Sequence, residues 1–259
     1  MSYWKDRISK AQDILTSKKS KAISEQIAKY YNNSMERVIK SFVDTYAKII
    51  TAGLEGVEPT PADLYKLDSY WQMQAQIRKE LQELGNKELI LLSDNFITHF
   101  QDVYDNISLP AGAAFSTISK ENITQMIETI WATDGLSWSQ RIWKNNEKLA
   151  ETLNEELLHC VVTGKKTDEL KKLLQERFDV SFRQADTLVR TEMTHIQTTA
   201  AHKRYIDAGV SQFEVWASKD ERRCEFCGKL HKKRYPIGVK PPIPAHPNCR
   251  CTIIPVIGD

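Results

Sequence analysis

Proline is distributed very unevenly along this chain, and its placement restricts the backbone more than any other single feature. Six of the nine prolines lie at position 236 or later, and none lies between Pro110 and Pro236. Because proline breaks helix interiors, a proline-free stretch of this length permits long helices. Four of the five cysteines lie in the last 36 residues, among those late prolines. The sequence therefore predicts a long helical body and a short Cys/Pro-rich module, with the boundary near Gly209.

The composition is that of a folded protein with a sizeable core. Hydrophobic residues make up 41% of the 259 residues and charged residues 27%, which is outside the range of disordered chains. No apolar run approaches the ~20 residues that span a bilayer, and the N-terminus has no apolar signal core. We therefore expect no membrane association and a reducing compartment in which thiols persist.

The net charge of +2 excludes a chain that coats nucleic acid through its overall charge. The charge is nevertheless asymmetric. Residues 201–259 hold eleven Lys and Arg against six Asp and Glu, a net of +5, which leaves −3 for residues 1–200. A basic surface is therefore expected at the C-terminal end.

Helical periodicity dominates the body. Apolar residues recur at steps of three or four over 20–52 and predict one long helix with an apolar stripe. Ile39 and Val43 lie beside that stripe, so the apolar arc is wider than one helix contact requires. Thr60-Pro61 predicts the start of a second helix, with Gly85 as its stop, and a further helix follows over 86–106.

The remaining elements are predicted from caps and alternation. Helices are expected over 119–133, 137–163 and 167–178, and a capping box at Ser181 and Gln184 predicts another up to Gly209. Strands are expected at 212–216 and 252–257. The predicted fold class is mainly α, with a small α+β C-terminal module. Its predicted divisions are a helical N-terminal docking region (1–110), a second helical part (111–209) and the basic Cys/His module (210–259).

Two short motifs in the module have the spacing of a metal site. One is Cys224-Glu-Phe-Cys227, and the other is His246-Pro-Asn-Cys249-Arg-Cys251. Thiolates and an imidazole in CxxC and HxxC pairs suit tetrahedral Zn²⁺. The predicted ligands of one structural zinc are Cys224, Cys227, His246 and Cys249, with Cys251 as the substitute for His246 and His231 as a weaker candidate. Reduced cysteines without metal and a disulfide are the alternatives.

A polar site is predicted on the helix before the boundary. Glu192 and His195 are three residues apart, so they share a helix face, and Arg190 precedes them. They form either an acid/base pair or, as the simpler interpretation, part of a packed helix that hydrogen-bonds to the module.

A basic stretch follows the first cysteine pair and has the composition of a phosphate-binding surface. A solvated loop explains it equally well. The candidate nucleic-acid contacts are Lys229, Lys232, Lys233, Arg234 and Lys240.

The C-terminal motifs together resemble the phage head morphogenesis domain of the phage Mu F-like minor head protein family. The resemblance covers about residues 115–257 and is sharpest over 185–255. Its main elements are Arg190-Thr-Glu192, Trp216 to Asp220, the Cys224–Cys227 pair and the ending His246-Pro-Asn-Cys249-Arg-Cys251.

The resemblance implies a non-enzymatic minor head protein of a tailed phage or prophage, a capsid-associated virion component. Such a protein would act in procapsid assembly and in DNA packaging or ejection next to the portal. Its implied partners are the portal protein, the major capsid protein and DNA bound non-specifically. Its implied location is the interior of the virion head, and the host cytoplasm during assembly. The alternative is a zinc- or Glu192-dependent enzyme acting on nucleic acid or a nucleotide, with Glu192, His195 and Asp220 in one pocket.

Overall fold

The computed structural model describes residues 2–51, 68–107, 109, 116–163, 165–217 and 224–256. The predicted fold class is confirmed: long helices dominate, and a small three-stranded sheet lies near the C-terminus. In chain order the elements are α1 (Ser2–Thr51), α2 (Asp68–Asn106), α3 (Lys120–Ile127), α4 (Trp138–Val162), α5 (Thr167–Asp207), β1 (Gln212–Trp216), α6 (Glu225–Leu230), β2 (Arg234–Pro236) and β3 (Thr252–Pro255). No helix among the described residues is long and apolar enough to cross a membrane.

The chain forms two compact units. The first, termed the site unit, comprises Met1–Ser24, Leu91–Trp138 and Thr187–Asp259, and the second, termed the helical unit, comprises Glu25–Ile90 and Ser139–Asp186. The helical unit has an apolar core on the stripe predicted for α1. Its fully buried side chains include Ile27, Val38, Phe42, Ile77, Leu153 and Leu157. Ile39 and Val43 flank this stripe and are half-buried.

Gly85 does not end a helix, so that prediction is wrong. It lies inside the continuous α2, where a Cβ atom would come within 2.7 Å of the Trp143 ring and 3.0 Å of Asn146 Nδ2. The glycine therefore permits the close approach of α4. The predicted helix start at Thr60 and the predicted end of the first helix at residue 52 lie outside the described residues.

The predicted break between Phe178 and Ser181 is also wrong, because α5 runs through it as one helix. Both side chains are buried in the helical unit. The Ser181 hydroxyl lies 3.4 Å from the Tyr31 hydroxyl, so it makes a packing contact instead of a cap. The continuous burial outweighs the local capping signal.

The sheet of the site unit is antiparallel, in the order β2-β1-β3. Gly209, at a φ of +71°, ends α5 as predicted and directs the chain into β1. The strand predicted over 252–257 is confirmed for Thr252–Pro255. The Tyr205 hydroxyl donates to the Ile253 carbonyl at 3.2 Å, so the C-terminal part of α5 packs against β3.

Candidate metal centre

The first cysteine pair is organised by the short helix α6. Cys224 is its N-cap, and the Cys224 Sγ atom accepts a hydrogen bond from the Cys227 N–H at 3.2 Å. Capping by the first cysteine directs its sulfur toward the helix turn that carries the second. Cys227 is buried, whereas Cys224 is partly exposed.

His246 approaches this pair with one defined ring nitrogen. Its Nε2 lies 3.2 Å from Cys227 Sγ, and its Nδ1 lies 2.8 Å from the Pro247 carbonyl oxygen. A proton on Nδ1 makes that contact a hydrogen bond and leaves the Nε2 lone pair for an ion. Partial burial lowers the pKa of His246, but the Pro247 hydrogen bond and the charges of Cys249 and Cys224 raise it more, so the net shift is upward.

The second cysteine pair, Cys249 and Cys251, lies next to Cys227 of the first pair. The donor atoms of Cys224, Cys227 and His246 lie within 4.8 Å of one another, and so do those of Cys227, Cys249 and Cys251. The Cys227 and Cys249 sulfurs are 3.9 Å apart. Two thiolates at about 2.3 Å from a tetrahedral zinc would be about 3.8 Å apart. This Cys/His cluster could therefore hold a metal ion.

The thiols of the cluster differ in acidity. A hydrogen bond from the Cys251 thiol, with backbone N–H groups, lowers the pKa of Cys249 to about 5. Burial and the Cys249 charge raise the pKa of Cys227 to about 12, and the Cys227 N–H lowers the pKa of Cys224. Metal ligation requires thiolates, so an ion would displace the Cys227 proton. The donors fit zinc, which would hold the two motifs together.

Two threonines of α5 anchor the second pair. The Thr194 hydroxyl donates to the Cys249 carbonyl at 2.7 Å. The Asn248 N–H donates to Thr191 Oγ1 at 3.0 Å, with Asn248 at a φ of +59°. Sequence reasoning did not assign a role to either threonine. The only available signal was their spacing of three, which places both on one helix face.

The predicted polar helix site is built around a tryptophan. Trp131 Nε1 donates to a Glu192 carboxylate oxygen at 3.0 Å, and the Trp131 ring stacks on His195 with centroids 4.4 Å apart. Glu192 and His195 are both buried, whereas Arg190 is exposed. Asp220 lies outside the described residues. His231, the weaker candidate, is not among the clustered donors, and its Nδ1 accepts the Ala217 N–H at 3.2 Å.

The predicted nucleic-acid contacts are all exposed but differ in pairing. Lys229 pairs with Glu225 at 2.6 Å, and Arg234 pairs with the buried Glu214 at 3.4 Å. Lys232 lies over the Trp216 ring, 5.9 Å from its centroid. The remaining candidates, Lys233 and Lys240, take part in no ion pair found among the described residues.

Residues 151–254 match the model of the family described as Phage Mu protein F like protein. The chain carries a phage Mu F-like domain. The match contains all of α5, the sheet except Pro255, and the five donors of the Cys/His cluster, and it covers about two fifths of the chain. It confirms the family resemblance and supports a role in phage head morphogenesis.

The chain is also similar to a curated protein, the NAD(+)–arginine ADP-ribosyltransferase EFV of Enterococcus faecalis strain ATCC 700802 / V583. The two are 25% identical over 141 residues, which are 48% of this chain and 29% of the relative. The chain thus spans less than a third of that relative's length. No solved structure matches this chain.

Proposed function

We propose that this protein is a minor head protein of a tailed phage or prophage, acting in procapsid assembly and in DNA packaging or ejection next to the portal. The observation that carries the proposal is the Mu F-like match over 151–254. The proposed location is the virion head interior, after assembly in the host cytoplasm. The proposed role is structural.

The proposed task of the metal is to stabilise the module. In the segment 224–256, the regular elements before β3 are α6 and β2, which together comprise only nine residues. Such a segment gains much of its order from an ion that joins its two motifs, because metal binding contributes directly to folding. The two threonine contacts of α5 then hold the module on the helix.

The proposed docking surface for portal or major capsid protein lies on the helical N-terminal region. Ile90 is 65% exposed and Trp71 is 50% exposed on α2. Such side chains add apolar area that a partner could cover. The half-buried Ile39 and Val43 of α1 belong to the same unit.

Incorporation into heads tests this proposal. Ile90→Asp is expected to leave the isolated protein folded, because Ile90 is exposed, but to reduce its copy number in purified procapsids. Gln82→Asp is the matched control, since it adds the same charge at an exposed position of the same helix. Absence of the wild-type protein from procapsids and virions would overturn the head-protein proposal, whereas normal incorporation of Ile90→Asp would overturn only the docking surface.

Non-specific DNA binding is proposed for the lysines without an acidic partner among the described residues. Changing Lys232, Lys233 and Lys240 to Gln should reduce the slope of log affinity against log salt, by about 0.9 for each duplex phosphate that the variant no longer neutralises. Lys229→Gln should change the slope less, because Lys229 already pairs with Glu225. An unchanged slope in the triple variant would contradict DNA binding at these lysines.

The enzymatic alternative has no comparable support. The Glu192 carboxylate is buried and accepts from Trp131, which fits a packing role. The arginine ADP-ribosyltransferase activity in the relative's name is not proposed for this chain, because the similarity covers 29% of that protein.

A further inference from the structure

The site unit contains a small open cavity that the head-protein role does not use. Its volume is about 140 Å³, and it is lined by side chains from the α3 end, from α5 and from the loop before His246. Cavities of ~150 Å³ hold a benzene-sized ring. The size therefore fits one six-membered ring.

One wall of the cavity is aromatic and held in place. Trp131 and His195 both line it and stack with an interplanar angle of 13°. The hydrogen bond from Trp131 to Glu192 fixes the indole orientation. Because the rotamers of these two side chains are fixed before binding, they lose little conformational entropy when a planar ligand packs against them.

The hydroxyls of the lining present acceptors. Thr129, Thr198 and Thr199 each donate their hydroxyl hydrogen to the backbone carbonyl four residues earlier, at 3.1, 2.9 and 2.9 Å. The oxygens of Thr129 and Thr199 keep lone pairs for a ligand, with the Thr199 oxygen also 3.5 Å from His195 Nε2, whereas Thr198 is only 2% exposed. A ring with N–H donors on its edge complements them, whereas a ring with acceptors alone does not.

An imidazole adds one further acceptor. His202 Nε2 lies 2.8 Å from the Ile237 carbonyl oxygen, so Nε2 carries the proton there. Burial lowers the pKa of His202, and this exceeds the opposite effect of the Ile237 hydrogen bond. The neutral ring therefore keeps an acceptor at Nδ1.

The charge of the lining comes from a lysine. Lys240 is exposed and takes part in no ion pair found in the part of the chain that the structure describes. An ammonium beside an apolar cavity suits a ligand whose ring is buried and whose anionic group remains near solvent.

We propose that this cavity binds a pyrimidine nucleoside monophosphate, with the base against Trp131 and its N–H donors on the threonine oxygens, and with the phosphate at Lys240. The ligand is either the free nucleotide or the end of a single strand. This inference goes beyond the proposed head function, because it concerns a ligand and not an assembly partner; it shares only Lys240 with the proposed DNA contacts.

Titration calorimetry with cytidine 5′-monophosphate tests the proposal, with the Trp131 indole N–H resonance reporting the location. That resonance is assigned by its loss in Trp131→Phe. The nucleotide is expected to shift it and to bind more tightly than cytidine, inorganic phosphate or benzoate, since each of these lacks part of the match. The two ligand sources are compared in a Lys232→Gln, Lys233→Gln background, which removes the proposed DNA contacts outside the cavity. A short oligodeoxycytidine that binds more tightly than the free nucleotide there would assign the strand end as the ligand, and weaker binding would assign the free nucleotide.

Two variants distinguish the contribution of the base to binding from that of the phosphate. Lys240→Gln should weaken binding of the monophosphate by about fivefold and leave cytidine unchanged, with Lys233→Gln as the control for an exposed lysine outside the lining. Thr199→Val should weaken both ligands. Any one of three results would overturn the proposal. The Trp131 resonance could remain unshifted at about 10 mM nucleotide, benzoate could bind as tightly as the nucleotide, or both variants could keep the wild-type affinity.

Discussion

Cys227 Sγ lies 3.2 Å from Nε2 of His246, although the two residues are 19 positions apart. This contact joins the CxxC motif at the start of α6 to the HPNCRC motif before β3. Cys227 also belongs to the second triad, with Cys249 and Cys251. A single buried sulfur thus connects all five donors, and its removal should affect the cluster more than removal of a peripheral donor.

The reduced protein is expected to contain about one zinc per chain by elemental analysis. Cys227→Ser should lose the metal and increase amide hydrogen exchange over 224–256, because the ion contributes to the folding of this segment. Cys160→Ser is the control: Cys160 is a buried thiol of α4 and lies outside the cluster. Metal-free wild-type protein with a protected C-terminal segment would contradict the zinc site.

Gly85→Ala is expected to destabilise the protein by about 1 kcal/mol in urea unfolding, although alanine is the better helix former. The added methyl would lie 2.7 Å from the Trp143 ring and 3.0 Å from Asn146 Nδ2, and such overpacking typically costs ~1–3 kcal/mol. In a Trp143→Leu background the same change should become neutral or stabilising. Equal effects in both backgrounds would show that the ring contact does not determine the choice of glycine.

Glu88 should make stability fall as pH rises. Burial raises the pKa of Glu88 from 4.5 to about 7, despite hydrogen bonds from Asn146 and Tyr31. Between about pH 4.5 and pH 7, Glu88 is therefore mostly protonated in the folded state and mostly ionised in the unfolded state. The free energy of unfolding, relative to Glu88→Gln, should fall by roughly 3 kcal/mol between pH 4.5 and pH 7.5. A pH-independent difference between the two proteins would contradict an uncharged Glu88.

His99 should make stability fall as pH decreases. Burial, with a contribution from Lys19, lowers the pKa of His99 from 6.5 to about 3. The unfolded state therefore binds a proton that the folded state excludes. The loss of stability begins near pH 6.5 and reaches roughly 4 kcal/mol at pH 3. His99→Gln should flatten this part of the unfolding profile, and an equally steep profile would assign the acid sensitivity to other groups.

The helical body was predictable because apolar periodicity repeats over many turns. The stripe over 20–52 predicted the buried face of α1, on which Val38 and Phe42 are fully buried. The ends of the helices were less predictable. Gly85 has the sequence signature of a helix end, yet the glycine serves the approach of Trp143. A local signal cannot distinguish these two uses, because both require the absence of a side chain.

The donor types of the cluster were predictable from spacing alone, since CxxC and HxxC each place two donors within reach of one ion. The sequence predicted that this helix hydrogen-bonds to the module, but not that Thr191 and Thr194 make the contacts. These contacts depend on the position of Asn248 and Cys249 beside α5, more than 50 residues away in the chain. The pairing of Arg234 with Glu214 was likewise invisible, because it requires the register of β1 against β2.

The sequence by itself determined the helical body, the end of α5 at Gly209 and the five Cys and His side chains that form the cluster. These depend on interactions that act within about one helix turn or one strand. Only the tertiary structure decided that Cys227 joins both triads, that Glu192 is buried under Trp131, and that Lys240 lies at a ring-sized cavity. These features bring together residues distant in sequence, and their positions follow from which apolar faces pack against one another.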